Sequence, residues 1–131
     1  MLEQLGINAK EAEKTLMVAS TEEKNKALIS IADGLIVNAD KIIKENEKDL
    51  ENGEKNGMPK SMLDRLKLDE SRIEGMAKGV RDIVNLPDPV GRILNTVTRP
   101  NGLRIEKTST PLGVIAVIFE ARPNVTSDAA A

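Results

Sequence analysis

The stretch GVIAVIFEARPNVTSDAAA, Gly113 to Ala131, decides how the chain is read. From Val114 to Phe119 every side chain is apolar, so an extended segment here is hydrophobic on both faces. Strands of that kind sit inside parallel sheets covered by helices. No other run in the 131 residues resembles a neighbour for it. Parallel strands are joined by crossovers of about a dozen residues or more, and none follows before Ala131. After Arg122, PNVTSDAAA reads as a helix beginning, with Pro123 at or near the first turn and Ala129 to Ala131 as strong helix formers. The expectation is a chain that ends inside the first βα unit of a doubly wound sheet, and so a portion of a longer protein.

Working back from that strand, Pro111 and Gly113 lead into it, and Arg92 to Thr110 reads as a β-hairpin. RPNG, Arg99 to Gly102, suits a type I turn with Pro100 preset at the second position and Gly102 free to take positive φ. Its flanking strands are rich in β-branched residues but weakly apolar, and a lone two-stranded hairpin is marginal in water. LPDPVG, Leu86 to Gly91, marks the change of architecture, because two close prolines forbid helix continuation.

Before Leu86 the pattern is helical. Asn8 with Glu11, and Ser20 with Glu23, have the spacing of capping boxes. Ala27, Leu28, Ile31, Ala32 and Leu35 form an amphipathic stripe, and Asn38 can cap a restarted helix carrying Ala39, Ile42, Ile43, Asn46 and Leu50. ENGEKNGMP, Glu51 to Pro59, reads as a solvated loop. It lacks the alternating ligands and final glutamate of a calcium loop. Ser61 is placed to cap a short helix through Leu66, and Ser71 the next one, whose Ile73, Met76, Ala77, Val80, Ile83 and Val84 make the cleanest stripe in the sequence.

Composition narrows the chemistry. With 40% hydrophobic and 31% charged residues the chain suits a folded, soluble protein, and its one aromatic residue, Phe119, leaves Leu, Ile, Val, Met and Ala to fill a core. Nineteen basic and 21 acidic residues are interspersed to a net charge of −2, with no basic stripe or stacking aromatics for nucleic acid. Cysteine and histidine are both absent. Disulfides, zinc sites, thiol nucleophiles and histidine catalysis therefore have no residues in this chain, and no metal site is expected. The charged N-terminus does not read as a signal peptide, and no apolar run approaches the roughly 20 residues of a membrane span. A cytoplasmic protein without membrane contact is expected.

RPNGLRIEK, TPLGVIAVIFEARPNVTSDAAA, MLDRLKLDESRIEGMAKGVRDIVNLPDPVG and ALISIADGL together resemble the N-terminal part of the gamma-glutamyl phosphate reductases (glutamate-5-semialdehyde dehydrogenases), a branch of the aldehyde dehydrogenase superfamily. The resemblance covers nearly the whole chain in order and spacing. EARPNVT after a PLGVI strand is its most specific element, because other branches tend to carry Pro-Trp-Asn-Phe-Pro there. It implies an α/β, aldehyde dehydrogenase-like fold. Residues 1–91 would be the helical part of the cofactor-binding domain, 92–110 an oligomerisation-type hairpin, and 111–131 the truncated first βα unit of the NADP-binding domain.

The implied activity is NADPH-dependent reduction of L-glutamyl 5-phosphate to L-glutamate 5-semialdehyde in proline biosynthesis. A homo-oligomer is implied, with glutamate 5-kinase as a further partner. Attack on an acyl phosphate needs a thiolate and preorganised donors for the oxyanion. Without a cysteine this chain is expected to be inactive alone. The rival reading is a helical protein-interaction module with a docking hairpin and no catalysis.

The resemblance places Asn124 as an oxyanion donor, just past the carboxyl end of the expected strand, where open α/β sheets bind ligands. Its plainer role is to cap or begin the following helix. Arg122 has the chemistry to hold the substrate's phosphate or α-carboxylate bidentately, or to pair with Glu120. Val117, Ile118, Phe119, Glu120 and Ala121 would line the nicotinamide side of the cofactor cleft, mostly through apolar or main-chain contacts. The lysines between Lys41 and Lys60 alternate with glutamates and read as a solvated face.

Overall fold

The computed structural model describes residues 2–120 and 122–131. Their order is α1 (Leu2–Leu16), α2 (Thr21–Val37), α3 (Ala39–Lys55), α4 (Lys60–Leu66), α5 (Glu70–Val84), β1 (Ile93–Thr98), β2 (Arg104–Thr108) and α6 (Asn124–Ala130). The chain divides into two compact units. One comprises the chain up to Thr21 with Pro87–Ala116, the other Glu22–Leu86 with Val117–Ala131.

In the first unit α1 begins at Leu2, six residues before the expected cap. Asn8 therefore lies inside a helix whose preceding turn already serves the local N–H groups, and nothing there needs a cap. Its side-chain carbonyl instead accepts from Gln4 Nε2 at 2.9 Å. The hairpin forms as expected, antiparallel, with Val97 opposite Ile105, Thr98 opposite Arg104, and a register shift between Ile93 and Asn95. The Gly102 N–H donates to the Arg99 carbonyl at 2.9 Å, and Gly102 takes the positive φ of 84° that the turn requires. Ser109 closes the base. Its N–H donates to the Arg92 carbonyl at 3.0 Å, its carbonyl accepts from the Gly91 N–H at 2.9 Å, and its hydroxyl donates to the Pro89 carbonyl.

The second unit is built around α5. Of the six-residue stripe read from the sequence, Ile73, Met76, Ala77 and Val80 are buried, while Ile83 and Val84 are only partly so. Ala77 and Val80 meet Ala32 of α2, and Leu28, Leu35 and Ala131 close over that cluster. Burying Ile73, Met76 and Val80 contributes roughly 1.5–3 kcal/mol each and Ala77 about 0.8 kcal/mol, so α5 is a main source of cohesion in this unit. The exposed Arg81–Asp33 ion pair at 2.7 Å links α5 to α2 and contributes little.

Several local expectations are corrected. Asp69, not Ser71, caps α5, accepting from the Arg72 N–H at 2.9 Å. Pro59, not Ser61, precedes α4, so Ser61 is inside the helix. Both serines lie two residues late, because the helices begin earlier, at Lys60 and at Glu70. Asn38 stands at the junction of α2 and α3 as expected, but its side chain does not cap. The amide donates back to the Gly34 carbonyl at 2.8 Å. The expected loop at Glu51–Pro59 is shorter than read, since α3 runs to Lys55 and takes in the first Asn-Gly pair. Gly53 is buried there, and a Cβ on it would stand 2.9 Å from Leu63 Cδ2. Close approach of α4 outweighs the helix-breaking tendency of that glycine. Only the second pair turns, with Gly57 at φ 73°.

Val114 to Glu120 differs most from expectation. It carries no strand assignment and joins no ladder, since among the described residues the sheet consists of β1 and β2 alone. Its side chains are exposed, Ile118 to 97%. A strand is defined by its hydrogen-bonded neighbour, and the described residues offer it none. The apolar pattern that identified it is intact, and among the described residues no strand pairs with it.

Candidate functional site

The turn between α4 and α5 is held by one side chain. The guanidinium of Arg72 donates to the main-chain carbonyl of Asp64, to that of Lys67 at 2.7 Å, and to the Asp64 carboxylate at 3.1 Å. From the other side Asn46 of α3, only 5% exposed, donates to the Leu66 carbonyl at 2.9 Å and accepts from the Leu68 N–H at 2.7 Å. These bonds satisfy main-chain groups of the turn, of which the Leu68 N–H is buried and would otherwise be orphaned. They also fix the path of the chain that carries Arg65.

Facing this turn is a cavity of about 500 Å³ whose lining includes Asp64, Arg65, Lys67, Arg72, Arg122, Asn124 and Asp128. A second cavity of about 320 Å³ is lined by Met62, Arg65, Glu120 and Arg122. Both lie within the second unit. The two residues singled out from the sequence for polar chemistry, Arg122 and Asn124, thus line one cavity.

Asn124 is the first residue of α6, behind Pro123, so of the two plainer roles weighed for it, it begins the helix and does not cap it. Its Nδ2 donates to Asp128 Oδ2 at 2.8 Å, one helical turn on. A carboxylate only accepts, so this bond selects which end of the amide faces Asp128 and leaves a second Nδ2 hydrogen for another acceptor. Arg122 joins Glu120 through the main chain, its N–H donating to the Glu120 carbonyl at 2.7 Å. Among the described residues its guanidinium forms no ion pair.

Val117, Ile118 and Phe119 are exposed at 51%, 97% and 46%, Glu120 lines the smaller cavity, and Ala121 lies outside the described residues. The sequence reading missed Arg65 and Asp128. The Asn124–Asp128 spacing of four was a usable signal. Arg65, one charge on a short polar helix, gave none.

The fit to a nicotinamide dinucleotide is partial. Such cofactors place their diphosphate on a turn between a strand and a helix. Among the described residues the two strands pair with each other in the hairpin, and neither feeds a helix. The apolar surface of Val117 to Phe119 suits the nicotinamide ring alone.

No family model matches the chain. It is 57% identical over 125 residues to the gamma-glutamyl phosphate reductase of Clostridium botulinum, strain Alaska E43, which is 95% of this chain and 30% of that protein. Over all 131 residues it is 50% identical to the gamma-glutamyl phosphate reductase of Brucella anthropi, covering 31% of it. The crystal structure of the Thermotoga maritima gamma-glutamyl phosphate reductase superposes with a TM-score of 0.90 at 39% identity, covering 92% of this chain and 29% of that one. The Saccharomyces cerevisiae gamma-glutamyl phosphate reductase gives 0.90 at 35% identity, covering 96% and 32%. The chain therefore spans about 30% of the length of the curated relatives it matches. Agreement in sequence and in fold over nearly every residue makes the chain similar to the N-terminal portion of the gamma-glutamyl phosphate reductases.

Proposed function

We propose that this chain serves an enzyme that reduces L-glutamyl 5-phosphate to L-glutamate 5-semialdehyde for proline biosynthesis in the cytoplasm. The observation that carries this reading is the shared cavity of Arg122 and Asn124, with the Asn124 amide oriented by Asp128 at 2.8 Å.

The chemistry assigned to each residue follows. Attack on the acyl phosphate turns its carbonyl oxygen into an oxyanion, and the free Nδ2 hydrogen of Asn124 is the donor for it. A donor held in place before the reaction loses no reorganisation energy when the charge develops. Arg122, unpaired among the described residues, binds an anionic group of the substrate. Val117, Ile118, Phe119, Glu120 and Ala121 are the residues that would hold the nicotinamide of NADPH. Bound NADPH supplies the hydride. The nucleophile comes from outside this chain, which has no cysteine. Residues 1–91, 92–110 and 111–131 are then the helical part of the cofactor-binding domain, an oligomerisation hairpin and the first βα unit. The whole enzyme is a homo-oligomer, with glutamate 5-kinase as its upstream partner.

The test is Asn124→Ala in the complete enzyme. Loss of one oxyanion donor lowers turnover by about 10²–10³, while NADPH affinity stays near the parent value. Near-normal turnover would refute the donor role.

A further inference from the structure

We infer that Arg65 and Arg122 together form a cradle for a phosphoryl group. The inference rests on the reading above and identifies which end of the substrate Arg122 holds.

Among the described residues Arg65 and Arg122 are the two that line both cavities, so they share a wall between them. They come from different elements, α4 and the segment before α6. The carboxylates around the larger cavity are already engaged. Asp64 is paired with Arg72, and Asp128 with the Asn124 amide. Among the described residues neither Arg65 nor Arg122 has an ion-pair partner, and Lys67 adds a third positive charge to the lining. Glu120 lines only the smaller cavity, so an anion in the larger one meets no uncommitted carboxylate.

Charge and shape then select the ligand. A carboxylate has one charge and is satisfied by one bidentate arginine. A phosphoryl group carries about −1.5 to −2 and three acceptor oxygens, which suits two guanidinium forks approaching from different directions. The position of Asn124 on the same lining fits too. In an acyl phosphate the carbonyl needing a hydrogen-bond donor is joined to the phosphoryl group through a single bridging oxygen. The same cradle would hold inorganic phosphate after its release.

The test is titration of the 131-residue chain with inorganic phosphate and with acetyl phosphate, followed by NMR of the arginine and main-chain N–H groups at constant ionic strength. Both ligands are expected to shift signals of Arg65, Arg122 and Asn124 saturably, and acetate much more weakly. Arg65→Gln removes a charge-assisted contact and weakens phosphate binding about tenfold to a hundredfold. Lys60→Gln deletes the same charge from α4 but does not line the cavity, and keeps the parent affinity. Equal phosphate affinity in the parent and Arg65→Gln would overturn the cradle. So would equal losses in Arg65→Gln and Lys60→Gln, which indicate bulk charge, or acetate binding as well as phosphate does. These readouts are independent of turnover. Failure of the Asn124 donor role would appear only in the complete enzyme, and failure of the cradle only here.

Discussion

Asn46 offers the sharpest test of how the turn beneath the cavity is built. Its side chain bridges the Leu66 carbonyl at 2.9 Å and the Leu68 N–H at 2.7 Å, and both it and Leu68 are buried. Asn46→Ala removes two hydrogen bonds and strands a buried N–H, which costs about 1–3 kcal/mol by itself and about 2–4 kcal/mol with the second bond. With an m-value of about 1.5 kcal/mol/M, a loss near 3 kcal/mol lowers the urea midpoint by about 2 M. Asn46→Asp separates the two bonds. The new carboxylate still accepts from Leu68, but it faces the Leu66 carbonyl and cannot donate to it. Burial and that carbonyl both raise the pKa of the new carboxyl in the folded chain. The folded chain then holds the proton more tightly than the unfolded one, so the ionisation penalty is absent below the unfolded value of about 3.9 and grows as pH rises to the folded value. Urea unfolding followed by far-UV circular dichroism, at pH 7 and near pH 4 beside the parent chain, reads both effects. A loss under about 1 kcal/mol for Asn46→Ala, or a pH-independent difference for Asn46→Asp, would refute the reasoning.

Asp69→Ala, deleting the cap of α5, is expected to cost about 1 kcal/mol in the same assay, whereas Ser71→Ala changes little. Gly53→Ala places its Cβ 2.9 Å from Leu63 Cδ2, the movable end of a side chain, and gains helix propensity. The net change stays within about 1 kcal/mol, while Gly53→Val costs about 2–3 kcal/mol by overpacking. The isolated chain binds NADPH more weakly than micromolar by calorimetry, because its residues suit only the nicotinamide ring; micromolar affinity would contradict that fit. The exposed Val97 and Ile105 of the hairpin and the apolar run through Ile118 predict a sedimentation mass of at least a dimer at micromolar concentration, reduced by Ile105→Lys. A strictly monomeric chain would count against that.

What was legible in the sequence was what depends on local periodicity. The α5 stripe appeared because Ile73, Met76, Ala77 and Val80 must share a face to be buried at all. The hairpin appeared because Pro100 and Gly102 permit few backbone paths. Caps were misplaced by two residues at α4 and α5 and by more at α1, since Asp69 and Ser71 are both able to cap until the helix takes its first turn. The Glu51–Pro59 loop was overcalled because the sequence cannot show that Gly53 is small to admit Leu63. At the candidate site Arg122 and Asn124 were visible through the motif after the apolar run. Arg65 was invisible because its partner lies 57 positions away, and only folding brings the two to one cavity.

The grip of Arg72 on Asp64 and Lys67 also works as a ruler. Its guanidinium spans eight and five residues at once, so it reads the length of the intervening segment as well as its shape. One residue inserted or deleted between Leu66 and Asp69 would leave no arrangement that serves both carbonyls. Substitutions along the segment, by contrast, leave the measurement untouched, because main-chain oxygens belong to every residue type. The turn should therefore drift freely in sequence while keeping its count, and the angular setting of Arg65, next to the measured carbonyl, would be preserved with it.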